Sequence, residues 1–488
     1  MSETSVKARS MPRPEGDPRT PSLTGAHGFN EFIARDWGSP DRTPVVVDGA
    51  PAAAADHRAR LGEQYAGQAL VVAGGRAQVR ANDCDHDFRA DSSFMWLTGC
   101  GAEDAVLVMT PVQGGHDAVL YLPAPFYPGH PSFYDDAGRG ELWVGAAPGL
   151  AEWSAALDLE VRDLEELRRA VARLDGPLLA GHPDRPEGVS GLPRSAELER
   201  TLAELRMVKD PFEIDQLRSA VDATIQGFVE TVGQIPTATQ RGGERWLQGT
   251  FDRAARTYGN RPGYSTIVGA GSHAATLHWE RADGPLVPGE LVLMDMGVEV
   301  DSYYTADVTR TFPVAGTFSP VQREVHDLVE KAHRASLAAV GPGRSFSDFF
   351  TASMEVIAQG LADWGILPVS VDEALAPDGQ QHRRWLVCGI GHHLGLDVHD
   401  CARASYDAYQ GATLVPGMVM TVEPGLYFHA HDLAVPPELR GIGVRIEDDV
   451  LVTDEGIDVL SDALPLSASG LEAWMARQGG LSREDGAG

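Results

Sequence analysis

Two short runs of strand-forming residues dominate the pattern of apolar and polar positions in the second half of the chain. Residues 286–295 read LVPGELVLMD, and residues 414–423 read LVPGMVMTVE. In each run a Pro-Gly turn is followed by apolar residues, and an acid, Asp295 or Glu423, stands at the sixth place after the glycine. These runs predict two buried strands. Their shared register predicts an internal duplication.

Helical periodicity marks the start of the domain that contains both runs. The segment MVKDPFEIDQL has a helix-start signature, with Asp210 as N-cap, Pro211 at the first helical position and Glu213 three residues after the cap. Apolar residues at spacings of three and four then predict an amphipathic helix: Ile214, Leu217, Val221, Ile225 and Phe228. A further helix is predicted in SPVQREVHDLVEKAHRASLAAV, between the two strand-and-acid runs.

The part of the chain before this seam has a mixed pattern. AVLVMT and AVLYLPAPF predict strands, and LEELRRAVARL predicts a helix, so we expect an α/β domain over residues 29–206. An α+β domain is expected over residues 207–470. The polar, proline-rich residues at the start lack the apolar centre of a secretory signal. We predict a disordered tail at residues 1–28 and a C-terminal tail at residues 471–488.

The composition of the chain argues against two classes of binding partner, nucleic acids and membranes. The net charge of −30 argues against nucleic acid, whose phosphates need a basic surface. No apolar run approaches the roughly 18 to 20 residues that span a bilayer. The four cysteines form no CxxC motif, which favours a reducing, cytoplasmic location over a disulfide framework. We therefore expect neither nucleic acid nor membrane as a partner.

The acids at the strand ends indicate a cation site. A hairpin centred near Asp301 would place Asp295 directly opposite Asp307, with Cβ atoms about 4.5–5.5 Å apart. In the second run, a longer hairpin would pair Glu423 with Glu447 in the same way. Four carboxylates that converge inside a protein are unfavourable without a cation between them. The sequence therefore predicts a metal centre with two carboxylates from each run.

Histidines lie between and before the two runs. The segment CGIGHHLGLDVHD contains His392, His393 and His399, and His278 precedes the first run in GAGSHAATLHW. Oxygen-rich sites suit Mn²⁺ or Mg²⁺, and an added imidazole shifts the preference toward transition metals such as Mn²⁺, Co²⁺ or Zn²⁺.

Together these motifs resemble the pita-bread metallopeptidases, and among them the Xaa-Pro aminopeptidases, also called aminopeptidase P. The resemblance rests on Asp295, Asp307 with VTRTFP, GHHLGLDVHD, TVEPGLY and GIGVRIEDDV, and it covers residues 207–465. DSSFMWLTGCGAEDAVLVM is similar to the start of the creatinase-like N-terminal domain of that family. The implied fold is an α/β N-terminal creatinase-like domain followed by an α+β pita-bread domain with an internal pseudo-twofold repeat.

The resemblance also implies the roles of particular residues. Two divalent metal ions are expected, Mn²⁺ above Co²⁺ or Zn²⁺, and the five implied ligands are Asp295, Asp307, His392, Glu423 and Glu447. Glu423 is further implied as the general base. His278 and His399 match positions that hold the scissile carbonyl, and Tyr427 and Arg445 match supporting positions. The implied partners are peptides with proline in second position and further copies of the chain, as a dimer or tetramer.

Several other activities are compatible with parts of this pattern. Methionine aminopeptidases share the fold but typically lack a large N-terminal domain, and creatinase has the two domains without needing metal. A prolidase, which cleaves only Xaa-Pro dipeptides, is the alternative that no motif excludes. A non-catalytic pita-bread binding module would be expected to have lost ligands, and all five are present.

Overall fold

The computed structural model of the protein describes residues 23, 25–82 and 84–481. The chain divides into two compact units, with the boundary after Leu202. The boundary falls inside one helix, α8 (Ala196–Arg206).

The N-terminal unit is built around one mixed sheet. Its order is β6-β5-β4-β1-β7, with β1 and β7 parallel, β5 and β6 parallel, and the remaining pairs antiparallel. A short pair, β2 and β3, lies outside this sheet. Helices accompany the sheet, so the unit has the expected α/β character. Its strands are β1 (Leu70–Ala73), β2 (Val79–Ala81), β3 (Cys84–Asp85), β4 (Val106–Val112), β5 (Gly115–Leu122), β6 (Glu160–Asp163) and β7 (Leu178–Gly181), and its helices are α1 (His27–Ile33), α2 (Ala50–Gln64), α3 (Ser92–Thr98), α4 (Glu141–Val144), α5 (Leu150–Leu157), α6 (Leu167–Val171) and α7 (Glu187–Ser190).

The C-terminal unit combines paired helices with small antiparallel sheets. Helix α9 packs against α11, and α12 packs against α13. Its helices are α9 (Pro211–Gly233), α10 (Ile235–Ala238), α11 (Gly243–Tyr258), α12 (Pro320–Ala339), α13 (Asp348–Asp363), α14 (Val371–Leu375) and α15 (Ala468–Leu481). Its strands are β8 (Arg261–Pro262), β9 (Ile267–Ala270), β10 (Leu291–Met296), β11 (Val298–Glu299), β12 (Val308–Pro313), β13 (Val419–Val422), β14 (Gly425–Tyr427), β15 (Gly443–Arg445), β16 (Asp448–Val452) and β17 (Ile457–Val459).

The predicted helix start at the seam is confirmed. Asp210 caps α9 by accepting from the backbone N–H of Glu213, and the Glu213 side chain accepts from the backbone N–H of Asp210. Pro211 occupies the first helical position, where no N–H is needed. The second predicted helix corresponds to α12, which has its own capping box at Ser319 and Gln322. Both helices therefore begin where local hydrogen bonding favours it.

Each strand-and-acid run forms an antiparallel hairpin. We call β10 to β12 (residues 291–313) the first hairpin unit and β13 to β16 (residues 419–452) the second hairpin unit. The first unit lies in the sheet order β12-β10-β9, and the second in the order β13-β16-β17. Their strands are almost entirely buried, and burying one Val or Leu side chain stabilises the fold by about 1.5–3 kcal/mol.

The register of the first hairpin unit differs from the prediction. Asp295 faces Thr309 across the ladder, so the expected direct opposition of Asp295 and Asp307 is wrong. The cause is the loop at residues 301–303. Val300 N–H donates to Tyr304 O over 3.0 Å, Tyr303 N–H donates to Val300 O over 2.8 Å, and Tyr303 adopts φ 71°. This three-residue turn with a left-handed last residue centres the hairpin on residue 302 instead of 301.

The ends of the chain also differ from expectation. Residues 1–22 and 24 of the predicted disordered tail lie outside the described residues, and α1 begins at His27. The predicted C-terminal tail is wrong for residues 471–481, which belong to α15. Leu471 is fully buried in the core, and the ring of Trp474 stacks on Phe312 at 6.0 Å, so this helix completes the apolar interior. Residues 482–488 lie outside the described residues. Among the helices that the structure describes, none has the length and apolar character to cross a bilayer.

Candidate metal centre

The first hairpin unit presents two carboxylates to a single tyrosine. Asp295 lies near the end of β10, and Asp307 directly precedes β12. The hydroxyl oxygen of Tyr264 lies 2.6 Å from Oδ1 of Asp295 and 2.6 Å from Oδ1 of Asp307. A phenol has one hydrogen to donate, so it satisfies only one of the two oxygens at a time. The two aspartates therefore converge even though they are not directly opposed in the ladder.

The second hairpin unit supplies two glutamates at matching positions. Val422 pairs with Asp448 and Gly425 pairs with Arg445, which leaves Glu423 and Glu447 opposed between the two paired segments. The register thus agrees with the predicted opposition of these two glutamates. Pro424 follows Glu423 and offers no N–H, so the ladder opens here.

The two hairpin units meet at Thr309 and Glu447. The backbone N–H of Glu447 donates to Thr309 O over 3.1 Å, and Thr309 Oγ1 donates to Glu447 Oε2 over 2.6 Å. This contact joins β12 of the first unit to the second unit, so the carboxylates of both units face one region.

His392 enters this region from a loop that runs beside β13. The backbone N–H of Thr421 donates to His392 O over 2.9 Å, and the backbone N–H of His392 donates to Thr421 Oγ1 over 3.1 Å. The imidazole Nε2 lies 3.3 Å from Asp307 Oδ2 and 3.6 Å from Glu423 Oε1. One ligand atom each from Asp307, His392 and Glu447 lies within 4.8 Å of the others.

The electrostatics of the cluster fit a bound cation. Burial raises the pKa of Asp295 to about 6 although Arg445 lies beside it, and burial raises the pKa of Glu423 to about 7. The pKa of Glu447 is raised well above its usual range by burial and by Asp307 and Glu423. Burial opposes protonation of His392, yet the neighbouring Asp307 and Glu423 raise its pKa to about 9. Divalent cations would relieve this repulsion, and oxygen donors with one imidazole suit them.

Arg445 ties the two hairpin units together on the other side of Asp295. Its Nη2 donates to Asp295 Oδ2 over 2.5 Å, its Nε donates to Thr309 Oγ1 over 3.1 Å, and its Nη1 donates to Tyr427 Oη over 3.0 Å. Tyr427 is buried, which raises the pKa of its hydroxyl. Arg445 therefore contacts a predicted ligand directly, whereas the Tyr427 hydroxyl accepts a hydrogen bond from Arg445.

The two remaining predicted histidines are exposed. The ring of His399 meets the ring of His392 edge-on, with centroids 4.4 Å apart. Partial burial lowers the pKa of His399, with further lowering from His392 and His278. His278 follows the short 3-10 helix Gly271–Ala275. Both imidazoles are open to solvent.

Two side chains of the cluster, Tyr264 and Asp449, are absent from the residues predicted from the sequence. Tyr264 stands in PGYSTIV, just before β9, and reaches the aspartates only because Ile267 of β9 pairs with Asp295 of β10. Asp449 accepts from the backbone N–H of Asp307 over 3.1 Å, across the two hairpin units. Both contacts depend on pairing between segments that are distant along the chain. A tyrosine adjacent to a strand beside a predicted ligand strand is the one cue available.

Comparisons with known proteins agree with this geometry. Residues 215–454 match the profile described as "Metallopeptidase family M24", and residues 54–176 match "Aminopeptidase P, N-terminal domain". "Xaa-Pro aminopeptidase 2" of Streptomyces coelicolor is 45% identical over 463 residues, which is 93% of this chain and 97% of that protein. "Xaa-Pro aminopeptidase" of Escherichia coli is 31% identical over 432 residues, 86% of this chain and 96% of that protein.

Solved structures show the same likeness. Aminopeptidase P from E. coli with the inhibitor Pro-Leu matches with a TM-score of 0.77 and 29% identity, over 88% of this chain and 99% of that one. Proline aminopeptidase P II from Yersinia pestis matches with a TM-score of 0.75 and 29% identity, also over 88% and 99%. The predicted fold, a creatinase-like N-terminal domain followed by a pita-bread domain, is confirmed. The chain belongs to the Xaa-Pro aminopeptidases of metallopeptidase family M24.

Proposed function

We propose that this chain is a metal-dependent exopeptidase that releases the N-terminal residue from peptides with proline in second position. The observation that carries the proposal is the convergence of four carboxylates and one imidazole from two hairpin units and the loop between them. The relatives that cover nearly the whole chain are Xaa-Pro aminopeptidases, which favours this activity over that of a prolidase or of a binding module.

Five residues would hold two divalent ions: Asp295, Asp307, His392, Glu423 and Glu447. We propose Mn²⁺ as the native ion because oxygen donors outnumber nitrogen donors, with Co²⁺ and Zn²⁺ as other ions that the set would accept. When bound, such ions supply a nucleophilic hydroxide at neutral pH and polarise the substrate carbonyl. The chain's own residues then have three tasks: moving a proton, stabilising the carbonyl oxygen and holding the ligands in place.

Glu423 is the proposed general base. Its position matches that of the general base in the family that the sequence resembles, and its Oε1 lies 3.6 Å from Nε2 of His392, within the ligand cluster. Its side chain is one-fifth exposed, so its carboxylate is partly open to solvent. Glu423 would accept the proton of the attacking water and return it to the proline nitrogen as the peptide bond breaks.

His278 and His399 are the proposed hydrogen-bond donors to the scissile carbonyl. Oxygen gains negative charge in the transition state, and preorganised donors stabilise that charge more than they stabilise the neutral carbonyl. Both rings are exposed, and the ring of His399 meets that of the ligand His392 edge-on, which is compatible with this role. Arg445 would hold Asp295, and Tyr427 would hold Arg445, so both would act through the ligand set.

The chemistry of proline explains why such a site would recognise its substrate by shape more than by hydrogen bonds. The bond before proline lacks an N–H, and the ring fixes φ near −65°, so the substrate offers few hydrogen bonds but a rigid outline. The free amine of the substrate would lie among the site carboxylates, which restricts cleavage to the first residue. We further propose, from the family likeness, that the protein acts in the cytoplasm as a homodimer or homotetramer.

A short substrate panel tests the proposed activity. Mass spectrometry would follow an Xaa-Pro dipeptide, the matching Xaa-Pro-Yaa tripeptide, its N-acetylated form and an Xaa-Ala-Yaa control. We expect release of the first residue from the tripeptide and resistance of the acetylated form. Cleavage confined to the dipeptide would identify a prolidase instead, and rapid cleavage of the alanine control would contradict proline specificity.

A further inference from the structure

A buried glutamate outside the ligand set organises the segment that carries His278. Glu244 lies in the first turn of α11 and is fully buried. Its Oε1 accepts from the backbone N–H of Ala270 over 2.7 Å and lies 2.8 Å from Nδ1 of His273. Its Oε2 accepts from Nε1 of Trp279 over 2.9 Å and from the backbone N–H of Gly284 over 2.6 Å. All four partners belong to residues 270–284, the segment that contains His278.

The contact with Trp279 is the one nearest to His278, because these residues are neighbours in sequence. The Trp279 ring stacks on His273 with centroids 3.8 Å apart, and the Arg281 guanidinium lies 4.0 Å from the Trp279 ring centroid. Trp279 is therefore held by ring contacts with His273 and Arg281 and by the hydrogen bond from its N–H to Glu244. A fixed Trp279 restricts the backbone from which the exposed His278 side chain projects.

Two other side chains of α11 also donate hydrogen bonds to this segment. Arg245 Nη2 donates to Arg281 O over 2.5 Å, and Gln248 Nε2 donates to Glu280 O over 3.1 Å. These donors come from exposed or half-buried side chains and bind backbone carbonyls alone. Only Glu244, among the described residues of α11, binds this segment through a buried charge.

We propose that Glu244 is a positioning residue for His278. A buried carboxylate is unfavourable unless donors satisfy it, and here each oxygen has two partners, so the carboxylate specifies one arrangement of residues 270–284. Replacement by glutamine would put an amide NH₂ against two donors, and the segment would have to shift. A displacement of about 1 Å of a catalytic group can cost about 10²-fold in rate. This inference rests on the proposed role of His278 in the reaction.

A double-mutant cycle separates positioning from general stability. Rates with an Xaa-Pro-Yaa tripeptide would be measured for wild type, Glu244→Gln, His278→Ala and the double variant, all in the metal-loaded protein. We expect Glu244→Gln to lower kcat by about 10- to 100-fold with unchanged metal content. In the His278→Ala background the same change should cost less than about twofold, because the residue that it positions is gone. Trp279→Phe, which keeps the ring and loses its N–H, should show a smaller loss with the same dependence on His278.

Glu213 offers a matched control. It is a buried glutamate in the first turn of α9, and it accepts from the backbone N–H of Asp210 and from Tyr304 Oη over 2.7 Å. Glu213→Gln should lower Tm as Glu244→Gln does while leaving kcat within about twofold.

The outcomes distinguish the two ideas. If His278→Ala leaves kcat unchanged, the proposed role of His278 fails. If His278→Ala is slow but Glu244→Gln costs the same factor in both backgrounds, the role of His278 stands and the positioning role of Glu244 is overturned.

Discussion

Arg445 of the second hairpin unit donates to Asp295 of the first over 2.5 Å, and both side chains are buried. The same guanidinium binds Thr309 Oγ1 and Tyr427 Oη. A predicted ligand from one unit is thus held by a cation from the other. The two halves of the domain are coupled at the site as well as through their backbones.

Arg445→Ala should destabilise the metal-free protein by about 3–5 kcal/mol, because it leaves a buried carboxylate without its partner. Tyr427→Phe is the control, since it removes one hydrogen bond to the same guanidinium and should cost about 1 kcal/mol. Urea unfolding of both variants in the presence of a chelator measures the difference. Equal losses would show that the ion pair with Asp295 contributes little.

Substitution of a metal ligand should lower the amount of bound metal, whereas substitution of a hydrogen-bond donor to the carbonyl should not. His392→Ala should lower both bound metal and rate, because Nε2 of His392 lies within the ligand cluster. His399→Ala should keep its metal and lose rate, since it would act on the transition state. Elemental analysis of the two purified variants, alongside kcat, decides between the roles. Comparable metal loss in both variants would refute the assignment.

Tyr264→Phe should weaken metal affinity by about 10- to 100-fold, as expected when a group that orients ligands is removed. The hydroxyl lies 2.6 Å from Asp295 Oδ1 and from Asp307 Oδ1, so its loss removes the hydrogen-bond donor that the two carboxylates share. Tyr304→Phe is the matched control, because its buried hydroxyl donates to Glu213 over 2.7 Å, away from the ligand set. Competition with a fluorescent chelator for Mn²⁺ measures the affinities. The hypothesis is wrong if both variants bind Mn²⁺ like wild type.

The metal-free protein should lose stability as pH rises. Folded Asp295 and Glu423 have pKa values raised to about 6 and about 7, and His392 has one raised to about 9. In each case the folded state holds its proton more tightly than the unfolded state, so this stabilisation is complete below the unfolded pKa and disappears as pH rises through the folded value. The stability of the metal-free protein should therefore fall between about pH 4 and pH 9.

Thermal melting with and without Mn²⁺ checks this dependence. Metal binding needs deprotonated ligands, so the rise in Tm on adding Mn²⁺ should grow between pH 5 and pH 8. Subtracting the Tm values measured without Mn²⁺ from those measured with Mn²⁺ removes the contribution of carboxylates elsewhere in the fold and leaves that of the cluster. A constant rise in Tm across this range would show that the cluster does not titrate as described.

Much of the site could be predicted from the sequence because it repeats. The paired LVPG runs place Asp295 and Glu423 at the ends of buried strands, and strand alternation keeps a residue on its face. The register that pairs Asp295 with Thr309 instead of Asp307 could not be predicted, because it depends on a left-handed Tyr303 in the turn. A tyrosine does not by itself indicate a left-handed backbone conformation, which Gly or Asn adopts more readily.

The other structural features that the sequence did not predict arise from contacts between segments that are distant along the chain. Tyr264 and Glu244 reach their partners through β9 and α11, and no local periodicity encodes either contact. Helix α15 lies where a C-terminal tail is predicted, yet Leu471 and Trp474 complete the core. Such features depend on tertiary packing rather than on propensity.

Two divalent ions at the cluster should be required for cleavage before proline. The direct measurement is to remove metal with a chelator and add Mn²⁺ back in steps. Bound metal and release of the first residue from an Xaa-Pro-Yaa tripeptide are followed together. Activity should be absent without metal and should rise to a plateau at about two ions per chain, as expected for a two-metal hydrolase. Full activity in protein shown to be free of metal would contradict the account.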